Sequence, residues 1–341
     1  MTSLPPSTDR RPPEPEGKRS LPLDEAVREG LARVEEQLGA WSRSDNPVTA
    51  EASRYVLRKT GKRIRPALVL LTSRLFPGES GDAVLLAALV ELIHTASLIH
   101  DDIVDNSDRR RGRESAHSRW GPHITVLLGD HLYIKAIDRA MRSRYERIAP
   151  LLVETSSRMI EGELEEYAAA GDLAVTEDDH LRMVANKTAA LFSCCGRFGA
   201  IAGLAGPRDE DRLARFGLEI GMSFQIIDDV LDITGTAGVL GKPVLSDLRE
   251  GRITLPLIHA LRTSDGDRRE RLSVLVGRKD ITPGERDWLL AALTDGGSLE
   301  YAMARARESQ EKAQGVLRSF PGSPAREALA ELADFVLKRD R

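Results

Sequence analysis

The chain has 341 residues, 49 of them Lys or Arg and 53 Asp or Glu, with a formal net charge of −4, 41% hydrophobic residues and 4% aromatic ones. That balance belongs to a globular protein and excludes a dedicated nucleic-acid binder, which needs a basic excess for phosphates and aromatic platforms for bases. The two cysteines, Cys194 and Cys195, are adjacent and cannot staple distant segments, so no oxidising compartment is indicated.

Residues 1–22 hold six of the 17 prolines and almost no large apolar side chains. Such a segment cannot bury enough surface to offset its ordering entropy and reads as a disordered, proline-rich tail, dispensable for catalysis, whose one candidate role is docking a partner. It lacks the basic start and apolar core of a signal peptide, so a cytoplasmic setting is expected. From Leu23 onward apolar residues recur at helical spacing, as in Leu31, Val34 and Leu38, almost to Leu337. Period-2 alternation and hairpin turns are nearly absent. Gly and Pro fall between helical runs, at Phe76-Pro77-Gly78, Gly121-Pro122, Gly206-Pro207 and Phe320-Pro321-Gly322. The pattern predicts one all-α domain of ten or more helices over 23–341. The apolar run Ala83 to Ile99 contains Glu91 and His94 and leads straight into Asp101. It reads as a core helix, and no membrane span is expected.

Two segments carry the chemistry. Asp101, Asp102 and Asp105 form one D-D-x-x-D, and Asp228, Asp229 and Asp232 form another. On a helix, positions i and i+4 share a face about 6 Å apart, so Asp101 pairs with Asp105 and Asp228 with Asp232. A solvated acidic face is the ordinary reading of clustered aspartates. Here the flanks are Ile, Leu, Val and Phe on most sides, and carboxylates on buried helices are costly without cations. Oxygen ligands of this kind suit a hard cation such as Mg²⁺, which shares its shell with phosphate oxygens. Cationic residues stand nearby: Gly61-Lys62-Arg63-Ile64-Arg65-Pro66 before the apolar run, and Arg109-Arg110-Arg111-Gly112-Arg113 just after the first triplet. An arginine run is by default a solvated face, but its position beside the triplet in an acidic protein points to a phosphate clamp. Lys187-Thr188, Lys242 and Arg252 are further candidates. His94, two turns before Asp101, lies on the face that carries the acids. Gly241-Lys242 is followed by Pro243, so there is no P-loop, and neither a zinc spacing nor a serine-nucleophile elbow occurs.

With these residues in view, the chain resembles the trans-type isoprenyl diphosphate synthases, or polyprenyl synthetases. The matching stretches, in the family's order, are Gly61 to Pro66, His94 through Asp105, Arg110-Arg111-Gly112, Gly129-Asp130, Gly162-Glu163, Lys187-Thr188, Phe224-Gln225 through Asp232, Gly241-Lys242-Pro243 with Asp247, and Thr254-Leu255-Pro256. They span roughly residues 23 to 340. The resemblance implies an all-α bundle around a deep central cavity, two aspartate triplets facing each other across its mouth, and a homodimer. It implies Mg²⁺ on Asp101 and Asp105, with Asp102 in the same motif, and on Asp228, supported by Asp229 and Asp232. It implies an allylic diphosphate site of Arg110, Lys187, Thr188, Gln225 and Lys242, and an isopentenyl diphosphate site of Lys62, Arg65, His94 and Arg111. The implied reaction is head-to-tail condensation of the two diphosphates. One departure is visible: Glu166 stands where the family commonly has Gln.

Two rivals fit less well. Class I terpene cyclases carry a different second motif and line their cavities with aromatics, which are scarce here. Non-catalytic subunits of heteromeric prenyl synthases typically lose parts of the aspartate motifs, and both are intact. Product length is expected from the helix bearing Asp101. One turn back are Ala96 and Ser97, and the next turn offers Leu92 and Ile93; one turn is about 5.4 Å, close to an isoprene unit. Short-chain members of the resembled family often place Phe or Tyr at the first level as a floor. With Ala96, Ser97 and Ile93 as candidate chain-length residues, products of C20 or longer are expected.

Overall fold

The computed structural model describes residues 23–58, 61–78, 81–110, 112–235 and 244–338. The tail 1–22, Arg111 and Lys242 lie outside them, as does the expectation of tail docking. The first helix, α1 (Glu25–Trp41), starts where the Asp24 carboxylate accepts the Val27 N–H at 2.8 Å. Its buried stripe, Val27, Leu31, Val34, Leu38 and Trp41, is the spacing seen in the sequence. Next come α2 (Pro47–Leu57), α3 (Ile64–Ser73) and α4 (Ala83–Val104). Helix α4 is buried on every side from Leu86 to Ile93 and packs on α1, α3 and the later α5 and α8. It alone among the described helices is long and apolar enough to cross a membrane, and its burial in the core accounts for that composition.

A two-residue antiparallel ladder, β1 (Arg109–Arg110) with β2 (Arg113–Glu114), follows; so short a pairing leaves no alternating pattern to read. Helix α5 (Ala116–Met141) is broken at Gly121, whose φ of 78° ends one helical segment before Pro122 opens the next, as the Gly-Pro pair predicts. Helices α6 (Ile148–Ala168) and α7 (Glu177–Val184) lead into a π-helical turn (Ala185–Ala189), then α8 (Ala190–Ala202) and α9 (Pro207–Thr234). The remainder is α10 (Ser246–Arg249), α11 (Leu255–Thr263), α12 (Gly266–Leu275), α13 (Pro283–Asp295), α14 (Ser298–Leu317) and α15 (Pro324–Leu337). The all-α reading holds, and α3, α4, α5, α6, α8 and α9 enclose a cavity.

Arg63 fixes one side of that enclosure. It occupies the left-handed position (φ 54°) that opens α3 and is only 6% exposed. Its Nε donates to Glu35 of α1 at 2.6 Å, its Nη1 to Glu91 of α4, and its Nη2 to the Leu57 carbonyl ending α2 at 3.2 Å. One side chain thus ties α1, α2, α3 and α4 together, and the middle cation of Lys62-Arg63-Ile64-Arg65 is structural. Glu91 is itself buried, so removing Arg63 strands a carboxylate in the core. Arg63→Met should lower the unfolding free energy by about 3–5 kcal/mol, and adding Glu91→Leu should recover part of it. Urea denaturation measures both; a single variant as stable as the wild type would show that the clamp is dispensable.

Candidate active site

Helix α4 delivers one stripe to the cavity: His94, Ser97, Leu98, Asp101 and Val104. The spacing of three and four is that of a single helical face. Opposite stand Phe224, Gln225 and Asp228 of α9, with Lys187, Thr188 and Leu191 from the π-turn and α8, and Arg65 from α3. Tyr133 of α5 and Met159, Ile160, Glu163 and Leu164 of α6 complete the wall, and Arg110 closes the rim. The cavity volume is about 490 Å³. Asp101 and Asp228, one from each triplet, therefore share a single chamber.

The other acids are committed to protein partners. Asp102 accepts the Arg110 Nε at 2.5 Å, and Asp105 accepts the Arg252 Nη2 at 2.5 Å. Asp229, 2% exposed, receives Gln225 Nε2 at 2.9 Å on one oxygen and His180 Nε2 at 3.1 Å on the other. Asp232, 1% exposed, accepts the Ser246 hydroxyl at 2.6 Å and the Asp247 N–H at 3.1 Å, which anchors α10 to α9. The four thus hold the walls while Asp101 and Asp228 face the chamber.

Cations are threaded between these groups. Lys187 Nζ bonds Glu163 at 2.7 Å and Glu166 at 2.5 Å. Burial alone would pull its ammonium down, but Glu166 and Glu163 outweigh that and hold it above its usual value. Arg252 spans Asp105, Glu166 (3.3 Å), Asp247 (3.4 Å) and Glu250 (2.6 Å). The Glu166 carboxyl is buried yet held below its ordinary range by Lys187 and Arg252. Thus the departure at Glu166 supplies a counter-charge to two site cations. Asp101 is placed otherwise. Burial, and then the negative charge of Glu163, push its carboxyl up to about 7, although Lys187 and Arg110 pull the other way.

Arg65 and His94 meet in the cavity, with Nη1 donating to the His94 Nε2 at 3.1 Å. The guanidinium lies over the rings of Phe192 (4.4 Å) and Phe224 (5.6 Å), which fixes its plane. Lys62 sits elsewhere, its ammonium 4.6 Å from the Phe335 ring of α15. Two glycines are required by close approach. A Cβ at Gly162 of α6 would stand 2.5 Å from the Lys187 nitrogen, and one at Gly129 of α5 would stand 2.3 Å from the His100 ring. Gly162 thus seats the π-turn that presents Lys187 and Thr188; a π-turn changes the phase of the helix, so it shows no pattern in sequence.

Two of the expected chain-length residues fall outside the walls of this chamber. Ala96 and Ile93 are fully buried in the hydrophobic core and do not line the cavity. At about 100° per residue, Ala96 lies roughly 140° around the helix from Asp101 and Ile93 roughly 80°. Ser97, about 40° away, does face the cavity. His180 and Tyr133 were not singled out by spacing. Their places depend on contacts with α9 and with His100.

No three acidic, histidine or cysteine side chains converge on one point among the described residues. A divalent cation still fits the donor set. Asp101 and Asp228 are hard oxygen donors on one chamber, and the burial and neighbouring negative charge that push the Asp101 carboxyl up are offset by positive charge. Two sparse carboxylates suit an ion that keeps water and shares its shell with a ligand's oxygens.

The polyprenyl synthetase family model matches residues 46–293. The chain belongs to the polyprenyl synthetase family. It is 34% identical over 313 residues to octaprenyl diphosphate synthase of Haemophilus influenzae, covering 91% of this chain and 94% of that one. It is also 34% identical over 298 residues to geranylgeranyl diphosphate synthase of Saccharolobus solfataricus, covering 85% and 90%. A polyprenyl synthase from Caulobacter crescentus, solved with calcium and isoprenyl diphosphate, superposes with a TM-score of 0.88 at 32% identity, covering 93% of this chain and 96% of that one. As a polyprenyl synthetase, the chain is a prenyltransferase of the head-to-tail kind, as its sequence implies.

Proposed function

We propose that this polyprenyl synthetase condenses isopentenyl diphosphate with an allylic diphosphate, using Mg²⁺, to give an all-trans product of C20 or longer. The observation that carries the reading is the shared chamber, lined by both Asp101 and Asp228 and by apolar Leu98, Met159, Ile160 and Leu164. Asp101, Asp105 and Asp228 would hold the cation, Asp105 exchanging the Arg252 guanidinium for it. When bound, the ion supplies charge neutralisation for the departing diphosphate.

The chain's own residues do the rest. Lys187, Arg110, Thr188 and Gln225 hold the allylic diphosphate, and their fixed positive charge and donors stabilise the anion that forms as its C–O bond ionises. Arg65, backed by two aromatic rings, and His94 hold isopentenyl diphosphate so that its double bond reaches the allylic cation. The new carbon–carbon bond forms, a proton is lost, and the apolar wall keeps water from the cation. Lys62, just before α3 and packed against Phe335 of α15, is assigned to the same diphosphate from the resemblance. Arg111 and Lys242 keep their assignments from the resemblance alone. The protein is placed in the cytoplasm, where two buried free thiols persist without oxidation.

A second copy fits the outer face of α5 and α6. Leu127, Ile134 and Met141 of α5 are 66–73% exposed, and Val153, Ile160 and Tyr167 of α6 are 48–70% exposed. Each trio is spaced by seven residues, the stripe of a helix awaiting a helix. We assign this face to a homodimer, in which two such pairs close around a two-fold axis.

Three measurements test these readings. Purified protein should incorporate labelled isopentenyl diphosphate only with Mg²⁺, and Asp101→Asn and Asp228→Asn should each cut turnover by at least about a hundredfold with unchanged circular dichroism; near-wild-type rates in either would remove the metal assignment. Ser97→Phe should shift the product spectrum downward by about one isoprene unit per turn of wall blocked, read by mass spectrometry, whereas Ala96→Phe should instead cost about 1–3 kcal/mol of stability by overpacking the core. Ile134→Glu combined with Tyr167→Glu should halve the mass seen by light scattering, and a wild type that is already monomeric would refute the dimer.

A further inference from the structure

Through the second aspartate triplet runs a ladder of four hydrogen-bonded side chains. The Thr188 hydroxyl donates to Gln225 Oε1 at 2.9 Å, Gln225 Nε2 donates to Asp229 Oδ1 at 2.9 Å, and His180 Nε2 meets Asp229 Oδ2 at 3.1 Å. Gln225 and Asp229 are i and i+4 on α9, while His180 precedes the π-turn and Thr188 lies within it, on one continuous helical run. The run is fixed at its start by a reciprocal cap between Thr176 and Asp179. His180 and Asp229 are 5% and 2% exposed, so neither can take water instead.

The chemistry of the ladder sets its direction. An ionised carboxylate only accepts, so Asp229 requires an N–H from His180 and an N–H from Gln225. The Gln225 carboxamide is then locked with its oxygen toward Thr188 and its nitrogen toward Asp229. Its second N–H remains for the cavity that Gln225 lines. A flipped amide would set oxygen against the carboxylate and offer a carbonyl to an anionic ligand. The imidazole also borders a small cavity of about 20 Å³ with Glu166 and Arg252, so it stands between the triplet and the cation cluster around Lys187.

We propose that His180 is a positioning residue for the allylic diphosphate: by holding Asp229 it fixes the polarity of Gln225, so that this side chain presents a donor to the substrate. His180 itself touches neither substrate. The proposal rests on the functional reading above, and on the assignment of Gln225 to the allylic site. It predicts an effect confined to one substrate, because Gln225 is assigned to the allylic diphosphate and Arg65 and His94 to isopentenyl diphosphate.

The experiment is steady-state kinetics with the full chain and both diphosphates. His180→Leu should raise KM for the allylic diphosphate about tenfold, the loss of one well-placed hydrogen bond, and leave KM for isopentenyl diphosphate within about twofold. His180→Gln, whose amide reaches Asp229 as Nε2 does, should return most of the affinity. If His180→Leu does not fold, His180→Phe provides the donor-free ring for the same comparison with His180→Gln. Unchanged allylic KM, an equal rise for both substrates, or a Gln variant no better than the donor-free one would overturn the proposal. A wild-type chain inactive on the substrate pair would overturn the functional reading instead, and a variant defect beside normal wild-type turnover keeps the two apart.

Discussion

Negative charge gathered at the mouth of an apolar cavity is the constraint on which this structure turns. Burying one carboxylate without a partner is prohibitive, and this site collects several near one another. The fold answers by giving most of them a donor from another segment of the chain. Arg110 serves Asp102, Arg252 serves Asp105, Lys187 serves Glu163 and Glu166, His180 serves Asp229, and the turn into α10 serves Asp232. These bonds are long in sequence and short in space, and they fix how α4, α6, α9 and the segment after α9 are set about the chamber. Asp101 carries the residue of the problem. Its raised pKa is the energetic mark of a place where positive charge is wanted.

The cationic run before α3 shows how differently neighbouring charges can be used. Lys62 turns outward to the aromatic ring of α15, Arg63 turns into the core, and Arg65 turns into the cavity. The left-handed backbone at Arg63 makes this three-way divergence possible, because it starts α3 at an angle that an extended residue would not give. The interior ion network of Arg63 with Glu35 and Glu91 then holds Arg65 at the height of His94. A structural cation therefore positions a functional one two residues away.

Much of this was legible in the chain. Helical periodicity announced the architecture, and the i, i+4 spacing of two D-D-x-x-D segments announced where anions and cations meet. The Gly121-Pro122 break fell where expected. What escaped was whatever depends on rotation or on distant contact. Ala96 and Ser97 are adjacent in sequence and both about one turn from Asp101, yet only Ser97 reaches the chamber, because five residues overshoot a helical turn by about 140° and four by only about 40°. The π-turn before α8 has no periodic signature of its own; Gly162, on another helix, makes room for it. Nor could a lone histidine be paired with an aspartate 49 positions away from spacing alone.

Helix α6 has a further consequence. Ile160 and Leu164 are two of the cavity's wall residues and are also 50% and 64% exposed. On the proposed dimer, a single layer of side chains separates the space in which a hydrocarbon chain lengthens from the subunit seam, and Ile160 belongs to both. A substitution there that lets the chain grow would also reshape that joint, so on this proposal product size and assembly are tied together through one position.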